Sequence, residues 1–199
     1  MNPIKVAYET AAPFYREKYA AIPARQADVD LAFSFLSEAI EPLVVEVGCA
    51  YGREAAYILT KTSRYIGIDI AQSFIAMASQ ELPQGTWHCL DVMEYHWPRG
   101  VDAIFAFASL LHLPKEELQV LLARMSDALQ PGGVIFLSLK RRETYESSIE
   151  TDQWVSRRFY YYNQATIQEI TPPELTIVAH EEQERSEPWL TMILQKQGT

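Results

Sequence analysis

None of the 199 residues falls in an apolar run approaching the roughly 18 to 20 side chains that cross a bilayer, so no spanning helix is expected. Nor does Met1-Asn2-Pro3-Ile4-Lys5 lead into a signal-peptide core, and a soluble, unexported, cytoplasmic protein is expected. Cysteine is scarce: Cys49 and Cys89 give neither a disulfide framework nor zinc spacing, so both are expected to be reduced and no metal centre is expected. Basic clusters are missing too. With a formal charge of −9 and no run of basic residues, the chain is poorly suited to a nucleic-acid partner, because phosphate-backbone binding draws on clustered Lys and Arg. No internal repeat or low-complexity linker divides it, and its length suits one good core, as a monomer or homodimer. A single domain over 1–199 is expected: a helical cap (1–40), a ligand-binding core (43–139), and a substrate-side loop with terminal strands (140–199).

What the chain does have is a packed-globule composition, 48% apolar and 12% aromatic, and one stretch that organises the rest. Leu43 to Val47 is short, β-branched and apolar except for Glu46, as in a central strand covered on both faces. Gly48 and Gly52 bracket a turn where the backbone bends sharply or admits a ligand closely. Helical spacing begins at Glu54, so a helix N-terminus points at the strand end, where open α/β sheets bind ligands.

Before this stretch, residues 3 to 40 suggest two helical pieces parted near Ile22-Pro23. The first carries Tyr8, Phe14, Tyr15 and Tyr19; the second, Asp28 to Ile40, repeats near 3.6 residues. After it, strand and helix alternate: Tyr65 to Asp69, a helix through Phe74 and Ala78, Thr86 to Leu90, Val101 to Phe107, a helix from about Pro114 to Leu129, and Val134 to Leu139. Repeated βα units with apolar strands predict a doubly wound, mostly parallel sheet. Polar Arg141 to Asp152 reads as a loop or short helix over the ligand edge. A short helix, Gln164 to Ile170, then precedes two runs, Leu175 to His180 and Trp189 to Gln195, close enough in sequence to pair antiparallel.

The strand ends converge chemically. Glu46-x-Gly48-x-x-x-Gly52 follows the first strand, Asp69 closes the second 17 residues after Gly52, Asp91 follows the third, and Phe107-Ala108 closes the fourth. A carboxylate after the second strand can accept from both hydroxyls of a ribose; one after the third can accept from an exocyclic amine. Ile70, Val92 and Met93 can sandwich a flat base.

In these residues the chain resembles the class I S-adenosylmethionine-dependent methyltransferases, with Ala50 where the family motif has its middle glycine. The resemblance implies a Rossmann-like, seven-stranded, mostly parallel sheet with an antiparallel C-terminal strand, and S-adenosylmethionine as cofactor. It implies binding by Glu46, Gly48, Cys49, Ala50, Tyr51, Gly52 and Arg53, with Asp69 and Ile70 at the ribose, Asp91 and Val92 at the adenine, and Phe107 and Ala108 on the sulfonium side. Arg53 is the nearest cation for the methionine carboxylate, and a surface role is open to it. An NAD(P)-dependent oxidoreductase is the rival within the fold, but Arg53 occupies the third glycine position of that fingerprint. A non-catalytic S-adenosylmethionine-binding module is the other alternative.

Methyl transfer from a sulfonium needs a base only if the acceptor arrives protonated. Candidates are His112, Tyr15, Tyr19 and Tyr51. His112 is equally suited to capping or packing near the helix that follows it. A small-molecule acceptor is expected; Trp154, Arg157, Arg158, Phe159 and Tyr160 to Tyr162 form either a wall for it or one ordinary strand, and Arg141 and Arg142 either invite an anion or are simply solvated.

Overall fold

Two helices precede the sheet. In the computed structural model, which describes residues 2–36, 41–184 and 187–198, α1 spans Pro3–Tyr19 and α2 spans Gln26–Ser34. Pro3 opens α1, where its missing N–H costs nothing, and the Asn2 side chain accepts from the Ile4 N–H at 2.9 Å. The second helix is shorter than its periodicity suggests: it starts two residues earlier and ends at Ser34, where the Phe35 N–H turns back to Ala32 and Phe33. Residues 37–40, included in that expectation, lie outside the described residues.

The alternation that follows is β1 (Val44–Val47), α3 (Arg53–Ile58), β2 (Tyr65–Asp69), α4 (Gln72–Glu81), β3 (Thr86–Cys89), β4 (Val101–Phe107), α5 (Lys115–Ala128) and β5 (Leu129–Lys140). Then come β6 (Glu146–Thr151), β7 (Ser156–Tyr161), α6 (Gln164–Ile170), β8 (Leu175–Gln183) and β9 (Trp189–Lys196). Seven strands form one sheet in the order β3-β2-β1-β4-β5-β9-β8. The first five are parallel; β9 runs antiparallel to both neighbours. Residues 130–133 form a bulge inside β5: the register with β4 passes from Val101↔Leu129 to Ala103↔Val134.

The core lies on both faces of this sheet. On one, Leu118, Leu121, Leu122 and Met125 of α5 pack on Val45, Ile104 and Ile135. On the other, Val29 of α2 and Ala55 and Ile58 of α3 cover Phe105, Phe107 and Phe136. The apolar strands are buried because helices cover both sides. Asp102, buried within β4, is satisfied by the Leu43 N–H at 2.6 Å and by the Gln130 side-chain amide.

One expectation is corrected. Residues 141–152 are not wholly a loop or helix: half of them, Glu146–Thr151, form β6, paired antiparallel with β7 from Glu146↔Tyr161 to Thr151↔Ser156. β6 is polar on both faces and largely exposed, so it carries no period-2 signal; its partner supplies the inward side chains Phe159 and Tyr161. Asp152 makes the turn, its Oδ1 accepting from the N–H groups of Trp154 and Val155, each at 2.9 Å.

Phe105 lies fully buried at the sheet centre between the rings of Phe33, Phe107 and Phe136. Phe105→Ala is expected to lower unfolding free energy by about 3 to 5 kcal/mol in a denaturant titration.

Candidate functional site

The loop after β1 is a left-handed turn: Gly48, Ala50 and Gly52 have φ of 72°, 47° and 90°. A Cβ on Gly48 would sit 2.2 Å from the Ser109 Cβ, so glycine lets the loops after β1 and β4 touch. The Ser109 hydroxyl ties them by donating to the Val47 carbonyl at 2.7 Å. Ala50 and Ala108 (φ 52°) both adopt a conformation disfavoured for any residue with a Cβ, and both line the cavity below.

Asp69 holds the turn from the next strand. Its Oδ2 accepts from the Ala50 N–H and its Oδ1 from the Ala71 N–H ahead of α4, each at 2.9 Å. Asp91 caps a single 3-10 turn through the Met93 N–H (3.0 Å) and also accepts from the Asn2 amide (3.0 Å). Both aspartates thus serve backbone ends, yet a carboxylate has about four lone-pair sites, and both residues line the cavity. Burial pushes Asp69 up to about 6, against the backbone hydrogen bonds that favour its ionised form.

A cavity of about 1850 Å³ opens at these strand ends, beneath α1. Gly48, Ala50, Tyr51, Arg53, Asp69, Ile70, Asp91, Val92, Phe107 and Ala108 line it, as do Tyr15, Tyr19 and His112. Glu46, Cys49 and Gly52 do not. Glu46 is buried in β1, accepting from the Tyr65 hydroxyl at 2.6 Å, and burial raises its carboxyl well above the usual range. Cys49 is buried with its thiol pushed up for the same reason. Gly52 faces α4, where a Cβ would meet Leu82 at 2.9 Å. Arg53 turns back on Glu54, with its Nε at 2.8 Å and Nη2 at 2.6 Å.

His112 sits in a single 3-10 turn after β4, with both ring nitrogens engaged. Nδ1 lies 2.7 Å from the Arg158 carbonyl, which can only accept, so Nδ1 carries the proton. Nε2 therefore accepts from the Tyr8 hydroxyl at 2.6 Å. Burial holds the imidazole down at about 4 and pushes the Tyr8 phenol up to about 12. Tyr15 donates to Asp152 and stacks on Tyr19. Asp152 sits at about 2 despite its desolvation, because Tyr15, two backbone N–H groups and Arg157 favour the carboxylate.

The residues expected to face an acceptor divide between the cavity and the core. Arg157, Arg158, Phe159 and Tyr160 line the cavity. Trp154 lies outside it, stacked on Phe14, while Tyr161 and Tyr162 are buried. Arg141 and Arg142 do not face it: Arg141 pairs with Glu182 and Glu184 at 2.5 and 2.7 Å, and Arg142 stands 3.6 Å from Glu146. Several lining residues carried no sequence signal as site residues, Tyr8, Arg25 and Lys140 among them. Tyr8 fits an ordinary helix face, Arg25 follows a proline in a linker, and Lys140 ends a strand.

Residues 44–133 match the family model described as a methyltransferase domain. A trans-aconitate 2-methyltransferase of Azoarcus sp. is 32% identical over 100 residues, 49% of this chain; the chain spans 39% of that relative. Among solved structures, an S-adenosylmethionine-dependent methyltransferase from Clostridium acetobutylicum superposes with a TM-score of 0.76 at 12% identity, over 96% of this chain and 99% of that one. A Burkholderia thailandensis 1,6-didemethyltoxoflavin-N1-methyltransferase, solved with bound 1,6-didemethyltoxoflavin and S-adenosylhomocysteine, gives a TM-score of 0.73 at 17% identity, over 98% of this chain and 88% of that one. The chain has the fold of these S-adenosylmethionine-dependent methyltransferases, and residues 44–133 match the methyltransferase-domain model.

With both nitrogens engaged and the ring half-buried, His112 is expected to stay neutral, as the Nδ1-H tautomer, from pH 5 to 8. Long-range 1H–15N spectra read this directly, and Tyr8→Phe is expected to raise its pKa by removing the donor to Nε2.

Proposed function

We propose that the protein transfers a methyl group from S-adenosylmethionine to a small-molecule acceptor in the cytoplasm. The observation that carries this reading is the placing of Asp69 and Asp91 at the ends of adjacent strands, in one cavity with the left-handed turn. Two carboxylates with apolar Ile70, Val92 and Met93 beside them suit a nucleoside, which offers paired hydroxyls, an amine and a flat base.

S-adenosylmethionine supplies a methyl group already activated on a sulfonium. In this reading Asp69 receives the ribose hydroxyls and Asp91 the adenine amine, framed by Ile70 and Val92. The Gly48 to Arg53 turn and the Phe107-Ala108 segment surround the methionine side. Glu46, Cys49 and Gly52 act from behind by shaping the turn. Arg53 is already paired with Glu54, and Arg25, which donates to Ser138 at 2.7 Å and lies over Phe107, is a second cation in reach of the cavity.

The protein's main task is to hold donor and acceptor in register and keep water out. Where the acceptor carries a proton, the path for it runs through Tyr8, whose hydroxyl can take that proton while passing its own to His112 Nε2. Tyr15 and Tyr19 wall the same space, with Tyr15 bound to Asp152.

Two experiments test the reading. Incubation with methyl-labelled cofactor and a metabolite pool is expected to yield labelled small molecules; persistent absence of product with cofactor binding intact favours a non-catalytic module. S-adenosylhomocysteine affinity is expected to be level above about pH 6 and to weaken by up to about tenfold per pH unit below it, as Asp69 protonates. Asp69→Asn should bind at least about tenfold more weakly and flatten that profile by calorimetry. The folding sign is opposite: a carboxyl raised above its unfolded value contributes stability at low pH that is lost as pH rises through about 6.

A further inference from the structure

The far end of the cavity, at the close of β5, holds two buried cations whose partners are unequal. Lys140 is 8% exposed; its Nζ donates to both oxygens of Glu150, at 2.7 and 2.6 Å, and stands 3.1 Å from Glu187. Glu150 is fixed in place, since it also accepts from the Tyr161 hydroxyl. Glu187 is 56% exposed, and Lys140 is its one ion-pair partner among the described residues. It can swing into water at little cost.

Arg157 projects inward from β7 with its side chain 11% exposed and its guanidinium 5.1 to 5.2 Å from the ring centroids of Tyr8, Tyr15 and Phe159. Its Nη2 donates to Asp152 Oδ2 at 2.7 Å, but its Nε is shielded from solvent and has no hydrogen-bond partner among the described residues. Asp152 cannot turn to meet it, because its Oδ1 is held by Trp154 and Val155 and its Oδ2 already serves Tyr15. Leaving a buried charged donor unmet is costly, so the place beside it suits an acceptor oxygen from outside the chain.

Asp152 and Glu150 are each held by several fixed donors, while among the described residues each cation keeps one position that is empty or weakly held. Both cations border one ring: Lys140 Nζ is 4.3 Å and the Arg157 guanidinium 5.2 Å from the Phe159 centroid, and the imidazole of His112 lies 4.7 Å from it. An anion bound there is next to the Tyr8–His112 pair. We infer that the methyl acceptor is a small carboxylic acid whose carboxylate is received by Arg157 Nε and by Lys140, with Glu187 displaced to solvent.

The inference rests on the methyltransferase reading, and S-adenosylhomocysteine titration of each protein tests that separately. The loaded protein is titrated, by calorimetry and thermal shift, with trans-aconitate, succinate and benzoate, and with ethanolamine and benzamide as cationic and neutral probes. At least one carboxylate is expected to bind and the other two probes not. Arg157→Gln should weaken that binding at least about tenfold, and Glu187→Gln, at an exposed position that does not threaten folding, should tighten it several-fold. Stronger binding of ethanolamine or benzamide, no binding by any of the carboxylates to the loaded protein, or a carboxylate affinity indifferent to Glu187→Gln overturns the inference and leaves the cofactor reading standing. Failure of S-adenosylhomocysteine itself to bind overturns both.

Discussion

The carboxylate of Asp69 is the point on which the site depends. One oxygen holds the turn after β1 and the other the approach to α4, so a side chain on β2 sets two loops relative to each other. Burial works against its charge, and backbone N–H groups support it. A group kept near its titration point in the fold is a common mark of a functional site, because stability alone would favour a neutral residue there.

Helix α1 completes the cavity from above through polar links to both ends. On the side of Asp69 and Asp91, Glu9 accepts from the Ser73 hydroxyl and N–H at the start of α4, and Arg16 pairs with Glu81. On the opposite side Tyr8 meets His112 and Tyr15 meets Asp152. A helix clasped at both ends connects the two halves of the cavity mechanically, and between the clasps Ala11, Ala12 and Tyr15 are buried against Ala71 and Phe74.

The parallel sheet was legible because burial on two faces leaves near-continuous apolar runs, as in Val44 to Val47 and Val101 to Phe107, punctuated by glycine turns. The aspartates were legible because a strand end in such a sheet is already a ligand position. β6 was not, because Glu146 to Thr151 is solvated on both faces and its pairing is imposed by β7. Long-range partners were hidden as well. Tyr8 and His112 stand 104 positions apart, and nothing local to either announces the bond. Arg141 and Arg142 misled for the converse reason: charge is visible in a sequence, but the glutamates that neutralise it lie on other elements.

Ala50 and Ala108, two non-glycine residues held left-handed on the cavity wall, bear on how quickly a ligand is captured. Glycine would relieve the strain of about 1 kcal/mol or more at each, but it would also release the turn to sample many shapes between binding events. An alanine has few alternatives once its neighbours have forced that angle. The wall is thereby preorganised: an arriving ligand meets a surface already formed, and little of its binding energy is diverted into ordering loops.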